Sequence, residues 1–89
     1  MNYINLLERY RELWSNRNLS ATNQDSAKEV LEETIRKDIN DEMTHPRVRK
    51  DPSIKFYWAI KRIEESDMDM HFKMALIQFY IDAMENITH

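Results

Sequence analysis

The chain contains no glycine in its 89 residues. Glycine adopts positive φ more readily than any other residue, so tight β-hairpin turns and glycine-rich phosphate-binding loops depend on it. A chain without glycine cannot build the usual two-residue hairpin, and helices joined by polar connections are the remaining architecture. The sequence therefore predicts an all-α fold and lacks the loop motifs by which many enzymes bind phosphates.

Four segments repeat apolar residues at the three- and four-residue steps of an amphipathic helix. They predict one helical domain over 1–89, with helices at about 2–15, 26–44, 52–65 and 68–87. The last segment is apolar over more than half of its circumference, which is typical of a helix buried on several sides. We therefore predict a compact three- or four-helix bundle with the C-terminal helix at its centre.

The ends of the second helix carry local signals. Ser26 and Glu29 form the pattern of a capping box, which predicts a start at Ser26, and an earlier start capped by Ser20 is the alternative. Pro46 disfavours helical geometry at the residue before it, so we expect the helix to end near Thr44.

The third helix begins with Asp51 as its N-cap and Pro52 at its first position, an arrangement that suits both residues. Helical spacing puts four apolar residues on one face, namely Phe56, Ala59, Ile60 and Ile63. Ile54 and Trp58 point in nearly the opposite direction. Either this helix is sandwiched and Trp58 is a core residue, or Trp58 lies on the surface.

The net charge of −3 conceals a basic middle segment. Residues 44–62 hold six basic side chains and one acidic side chain, whereas 1–43 and 63–89 are both acidic. Either the basic segment packs against the acidic helices, or it forms an external recognition patch.

Tryptophan beside arginine is the composition of a binding hot spot. If Trp58 is exposed, we predict a protein-binding surface formed by Ile54, Lys55, Trp58, Arg62, Arg47, Arg49 and Lys50. The alternative for the same segment, 47–62, is nucleic-acid binding, with arginines on phosphates and aromatic rings stacked on bases.

Catalytic and metal-binding patterns do not converge in this sequence. There is no cysteine nucleophile, and the serines lie at predicted helix ends, where capping accounts for them. Asp82, Glu85 and His89 share one helix face, but this set contains neither the His–x–x–x–His nor the Glu–x–x–His pattern of metal sites. We therefore predict no enzymatic activity and no cofactor or metal.

One short stretch is similar to the nuclease-colicin immunity proteins, a family of small acidic four-helix inhibitors. Asp41–Pro46 at the end of the second helix, followed by Phe56 and Tyr57, resembles that family's Thr-x-His-Pro end and paired tyrosines. The family's glycine-containing steps are missing here, and the connection is basic, so no residue role is carried over.

The sequence favours a non-enzymatic protein that binds another protein, as an inhibitor, adaptor or assembly factor. A homo-oligomer built on the apolar C-terminal helix is a further alternative. The absence of cysteine fits a reducing compartment, and neither a signal peptide nor a membrane-length apolar run is evident. We therefore expect a cytoplasmic location and no membrane partner.

Overall fold

A computed structural model describes residues 1–15, 19–42 and 45–87 of the chain. These residues form four α-helices and one short 3₁₀ turn, and no strand occurs among them. The elements are α1 (Tyr3–Trp14), α2 (Gln24–Ile39), the 3₁₀ turn (Pro46–Val48), α3 (Pro52–Glu65) and α4 (Met70–Ile87). The predicted all-α helical bundle is confirmed.

The first two helices begin at the same end of the molecule. The side chain of Gln24, the first residue of α2, accepts hydrogen bonds from the backbone amides of Tyr3 and Ile4 in the first turn of α1. Further along, Tyr10 of α1 is linked to Asp38 in the last turn of α2 through the hydroxyl of Tyr80. α1 and α2 therefore run in roughly the same direction.

One apolar core lies between the helices. Both α2 and α4 pack against all three of the other helices, so α4 shares the central position with α2. Burial inside a small domain is the main source of its stability. The buried apolar residues are Leu6, Leu7, Tyr10, Ala27, Leu31, Ile35, Ile39, Ala59, Ile63, Leu76, Tyr80 and Ala83.

The predicted start of α2 is wrong by two residues. Asn23, which has an extended backbone, is the N-cap, and its side chain accepts a hydrogen bond of 2.8 Å from the amide of Ser26. The Ser26 hydroxyl in turn accepts from the Asn23 amide, so Ser26 is the second partner of a capping box and not its first residue. Both predicted starts, the one at the Ser26–Glu29 capping box and the one capped by Ser20, are therefore wrong, and Asn23 is the N-cap instead.

The predicted end of α2 is also wrong, since the helix stops at Ile39 well before Pro46. Asp41 has φ 53°, its amide donates to the Asp38 carbonyl, and the Glu42 amide donates to the Lys37 carbonyl. This is a Schellman motif, with aspartate at the left-handed position that glycine usually occupies. Thr44, where the helix was expected to end, lies outside the described residues.

The predicted start of α3 is confirmed. Asp51 is the N-cap and Pro52 follows at the first helical position. The Asp51 carboxylate accepts hydrogen bonds from the hydroxyl and the amide of Ser53, and these bonds lower the pKa of Asp51. Downstream, Ala59 and Ile63 are buried, and Phe56 and Ile60 pack against the core as expected.

Replacing Ser15 by glycine is expected to raise the free energy of unfolding by about 1 kcal/mol. Ser15 ends α1 with φ 52°, a conformation that costs a residue with a Cβ roughly 1–2 kcal/mol relative to glycine. The Ser15 amide bonds to the Arg11 and Glu12 carbonyls, and glycine keeps that amide. Urea unfolding followed by circular dichroism measures the change.

Asp41→Gly is the matched control, because Asp41 has the same backbone conformation but uses its side chain. The Asp41 carboxylate accepts a hydrogen bond of 2.8 Å from the Lys50 amide. Losing that bond is expected to outweigh the backbone gain, so this variant should be less stable than the parent. A Ser15→Gly variant that is no more stable than the parent would contradict the backbone explanation for Ser15.

Candidate functional site

An ion-paired lysine holds one side of α3 against α2. The Lys55 ammonium lies 3.3 Å from the Asp38 carboxylate and 3.7 Å from the Asp41 carboxylate. All three side chains are largely shielded from solvent, and the Lys50 amide also bonds to Asp41. This part of the basic segment is therefore paired with the acidic end of α2, as one of the two sequence interpretations expected.

A chain of hydrogen bonds continues from Asp38 into the core. The Tyr80 hydroxyl donates to the Asp38 carboxylate at 2.8 Å, and the Tyr10 hydroxyl lies 3.1 Å from the Tyr80 hydroxyl. Since Tyr80 has one hydroxyl proton and gives it to Asp38, Tyr10 is the donor to Tyr80. Burial raises the pKa of both tyrosines far above the ordinary value, and the Asp38 carboxylate raises them further.

A cavity of about 320 Å³ opens beside this network, lined in part by Trp14, Thr34 and Lys37. The Trp14 ring stacks on Tyr10 at 4.5 Å between centroids, and the Arg62 guanidinium lies 5.0 Å from the centroid of the Trp14 ring. The network's tyrosine, aspartate and lysine groups bond to one another and leave no nucleophile beside a base. We interpret the network as the structural link that orients α3.

The side of α3 that is turned away from Ala59 and Ile63 faces solvent. Ile54, Tyr57 and Trp58 are 43%, 60% and 52% exposed, and they follow one another at i, i+3 and i+4 on one helix face. Exposed Lys61 and Arg62 continue that face toward the end of the helix. We call these five residues the Trp58 surface. The alternative in which Trp58 is a core residue is therefore wrong, because the core face of α3 is supplied by Ala59 and Ile63.

The other predicted site residues divide into two groups. Arg47, Arg49 and Lys50 are exposed in the connection that precedes α3. The Arg49 guanidinium reaches the Glu42 carbonyl at 3.5 Å, which ties the connection to the end of α2. Lys55 points toward α2 and lies outside the Trp58 surface.

The sequence interpretation missed Tyr57 as part of this surface. Its position three residues after Ile54 was a usable signal, because residues at i and i+3 share a helix face. On α4, Met70 and Met74 are 66% and 61% exposed, the largest such apolar exposures on that helix.

A larger groove of about 680 Å³ lies between α2 and α4. Its walls carry both signs of charge, including Lys28, Glu32 and Asp82, above an apolar floor that includes Phe79 and Ala83. Mixed charge of this kind selects no ligand class.

Metal-ligating side chains do not gather anywhere in the described part of the chain, where no group of three His, Asp or Glu residues could hold an ion. His89, which completed the sequence pattern with Asp82 and Glu85, lies outside the described residues. Within the same described ranges, none of the helices has the length and apolar character needed to cross a membrane.

Comparison with known proteins returns one family and one curated relative. The family description "YoyC family" matches residues 1–89. The chain is similar to a Bacillus subtilis (strain 168) protein described as "Uncharacterized protein YoyC", with 34% identity over 80 residues, which are 90% of this chain and 83% of the relative. No solved structure matches the chain.

Proposed function

The chain belongs to the YoyC family, and we propose that it acts in the cytoplasm by binding another protein through the Trp58 surface. In this proposal the protein catalyses no reaction of its own and works as an inhibitor, adaptor or assembly factor. The cytoplasmic location follows from the sequence argument, in which a chain without cysteine suits a reducing compartment.

The observation that carries the proposal is the exposure of Ile54, Tyr57 and Trp58 on one face of α3. The same helix buries Ala59 and Ile63, so its core requirement is met without these three side chains. Large apolar groups that are adjacent and exposed favour association, because covering them removes apolar area from water. Tryptophan and tyrosine are also the residues most enriched among binding hot spots.

The charges around this face indicate the chemistry of the partner. Arg47, Arg49 and Lys50 form an exposed basic rim just before α3, whereas Lys61 is paired with Glu65 and the Arg62 guanidinium lies over the Trp14 ring. A basic rim beside an apolar centre is complementary to an acidic protein surface with an apolar ridge. We therefore propose an acidic partner protein, for which the rim charges would raise the association rate more than the affinity.

A capture experiment with a matched variant tests the proposal. Tagged wild-type chain and a Tyr57→Ala/Trp58→Ala variant are used to capture proteins from a lysate of the source organism, and a protein held only by the wild type is then titrated in purified form. We expect the double variant to keep its helical circular dichroism and to bind at least about tenfold more weakly, as hot-spot truncation does.

The control variant is Glu8→Ala, which changes an exposed residue of α1 and leaves every residue of α3 unchanged. It should bind like the wild type. Equal binding by the wild type and the double variant would refute the proposal, and unfolding of the double variant would show that the face contributes to the core.

Nucleic-acid binding through 47–62 remains a second candidate, because Arg47, Arg49 and Lys50 are exposed together. It predicts binding whose affinity falls steeply as salt rises, in proportion to the number of phosphates contacted. Lys55 would contribute little, since its ammonium is already paired with Asp38 and Asp41. Titration with single- and double-stranded nucleic acid at low salt decides between the two candidates.

We also propose that a second copy of the chain binds at α4. Met70 and Met74 are exposed on this helix, although most of its apolar residues pack against the core. Flexible methionine side chains suit a surface that another helix covers. Light scattering over a range of protein concentrations tests this self-association.

A further inference from the structure

The Arg62 guanidinium lies against a tryptophan that the core holds in place. Its central carbon is over the Trp14 ring, 5.0 Å from the ring centroid. Trp14 in turn stacks on two core tyrosines, with centroids 4.5 Å from Tyr10 and 5.9 Å from Tyr80. The hydroxyls of both tyrosines belong to the hydrogen-bonded chain that ends at Asp38. The ring beneath Arg62 is therefore fixed, and contact with it restricts the arginine side chain to fewer rotamers.

A cation–π contact does not consume the hydrogen-bond donors of an arginine. The guanidinium carries five N–H donors in a planar fork, and this fork remains available to oxygen acceptors when the group lies against an aromatic ring. Within the described ranges of the chain, Arg62 is exposed and its side chain forms no hydrogen bond or ion pair. Lys61, the other cation of the Trp58 surface, is paired with Glu65 at 3.2 Å. Arg62 is therefore the cation of this surface whose donors are open to a partner.

The donors of Arg62 lie next to an exposed indole ring. Arg62 follows Trp58 by four residues, so the two side chains are neighbours on one face of α3. Trp58 is 52% exposed, and Arg62 borders it on the side that faces the end of α1, where Trp14 lies. An ordered fork of donors beside an apolar ring is complementary to a carboxylate whose neighbouring groups are apolar.

We infer that Arg62 is the specificity-determining residue of the proposed interaction and binds an aspartate or glutamate side chain of the partner protein through two parallel N–H···O bonds. The inference rests on the proposed function and adds the chemical group that the Trp58 surface recognises. The two oxygens of a carboxylate match the spacing of the guanidinium N–H groups, and an arginine that is already ordered loses less freedom on binding. The rim formed by Arg47, Arg49 and Lys50 acts differently, through the association rate.

The order of the Arg62 side chain can be measured in the isolated protein. The NMR order parameter of an arginine Nε–H group reports its motion on the ps–ns timescale. We expect a value above about 0.6 for Arg62 and a lower value for Arg47, an exposed arginine that serves as the matched control. Equal mobility of the two side chains would overturn the inference, because Arg62 would then not be held by Trp14.

A small carboxylate tests recognition without the partner protein. Phenylacetate joins a carboxylate to an apolar ring, and phenylacetamide is its uncharged analogue. Both are titrated at constant ionic strength. We expect phenylacetate to shift the signals of the Arg62 Nε–H and the Trp58 indole N–H together. An Arg62→Lys variant keeps the charge but lacks the fork, so it should bind phenylacetate at least about threefold more weakly.

Three results of this titration would overturn the inference. Equal shifts with phenylacetamide would mean that the apolar ring alone is bound. Unchanged phenylacetate binding by Arg62→Lys would mean that a positive charge is sufficient and that the fork is not used. Larger shifts with inorganic phosphate than with phenylacetate would mean that Arg62 selects phosphate groups and not carboxylates.

A purified partner protein, obtained by the capture experiment, separates this inference from the proposed function. We expect it to dissociate at least about tenfold faster from Arg62→Lys, and to bind Arg47→Lys like the wild type. Loss of binding by Tyr57→Ala/Trp58→Ala with full binding by Arg62→Lys would refute the inference and support the proposed function. The expected phenylacetate binding without any protein partner would support the carboxylate site and refute the proposed function.

Discussion

Raising the pH from 9 to 12 is expected to lower the free energy of unfolding by on the order of 5 kcal/mol through the two buried tyrosines alone. Burial raises the pKa of Tyr10 and Tyr80 above the ordinary value of 10.0. Above pH 10 the unfolded chain therefore releases these two protons while the folded chain retains them. The contribution of the two tyrosines to the free energy of unfolding is fully present below pH 10. Above pH 10 it falls by about 1.4 kcal/mol per pH unit for each tyrosine.

This loss is comparable with the whole stability of a small domain, about 5–15 kcal/mol, so alkaline pH is expected to unfold the protein. A single small domain usually unfolds cooperatively. Urea unfolding at several pH values measures the free energy, and the ultraviolet absorbance of tyrosinate reports ionisation. We expect the phenolate signals of Tyr10 and Tyr80 to appear together with the loss of helical circular dichroism.

A Tyr10→Phe/Tyr80→Phe variant is the control for lysine ionisation, which also occurs at high pH. Lys61, for example, has its pKa raised by a hydrogen bond to Glu65, and that ion pair is lost as pH rises past the lysine's range. The variant keeps the lysine contribution and loses the tyrosine contribution. Parallel pH dependences in the variant and the wild type would contradict the buried hydroxyl chain.

Asp38→Ala is expected to destabilise the fold by about 2–4 kcal/mol. The change removes the acceptor of the buried Tyr80 hydroxyl and the nearer of two carboxylates beside Lys55. A buried hydroxyl without an acceptor costs roughly 1–3 kcal/mol, and a charge-assisted bond adds a comparable amount. Chemical denaturation of the purified variant measures the loss.

Two other substitutions show which part of Asp38 matters. Asp38→Asn keeps an oxygen that can accept from Tyr80 and removes the charge, so its loss should be smaller. Glu33→Ala removes an exposed carboxylate of the same helix that pairs with Arg36 and Lys37, and exposed pairs contribute little. A loss for Glu33→Ala as large as for Asp38→Ala would mean that burial is not the cause.

Sequence patterns predicted most of the local structure correctly. The Asp51–Pro52 start of α3 and the inward face with Ala59 and Ile63 follow from rules that involve a few neighbouring residues, and the structure agrees. The ends of α2 were mispredicted because they depend on contacts with residues that are distant in the sequence. Asn23 and Asp41 compete with other capping signals, and distant contacts with α1 and the Lys50 amide favour the observed ends.

The candidate site was predictable only in part. Helical spacing showed that Ile54 and Trp58 point away from the core face, but it could not show whether another helix covers them. That depends on where α1, α2 and α4 pack around α3. The same packing turns Lys55 toward Asp38 and leaves Arg47 exposed, although both belong to one basic segment in the sequence.

The absence of glycine, together with apolar residues repeated at three- and four-residue steps, was enough to predict helices, because the usual two-residue hairpin turns depend on glycine. It did not remove the need for left-handed backbone, which Ser15 and Asp41 supply at two helix ends. Which apolar faces become core was decided only by tertiary structure. Two faces of one helix can be equally apolar in sequence, and which of them is buried depends on where the other helices pack. For that reason α3 and α4 each retain an exposed apolar face.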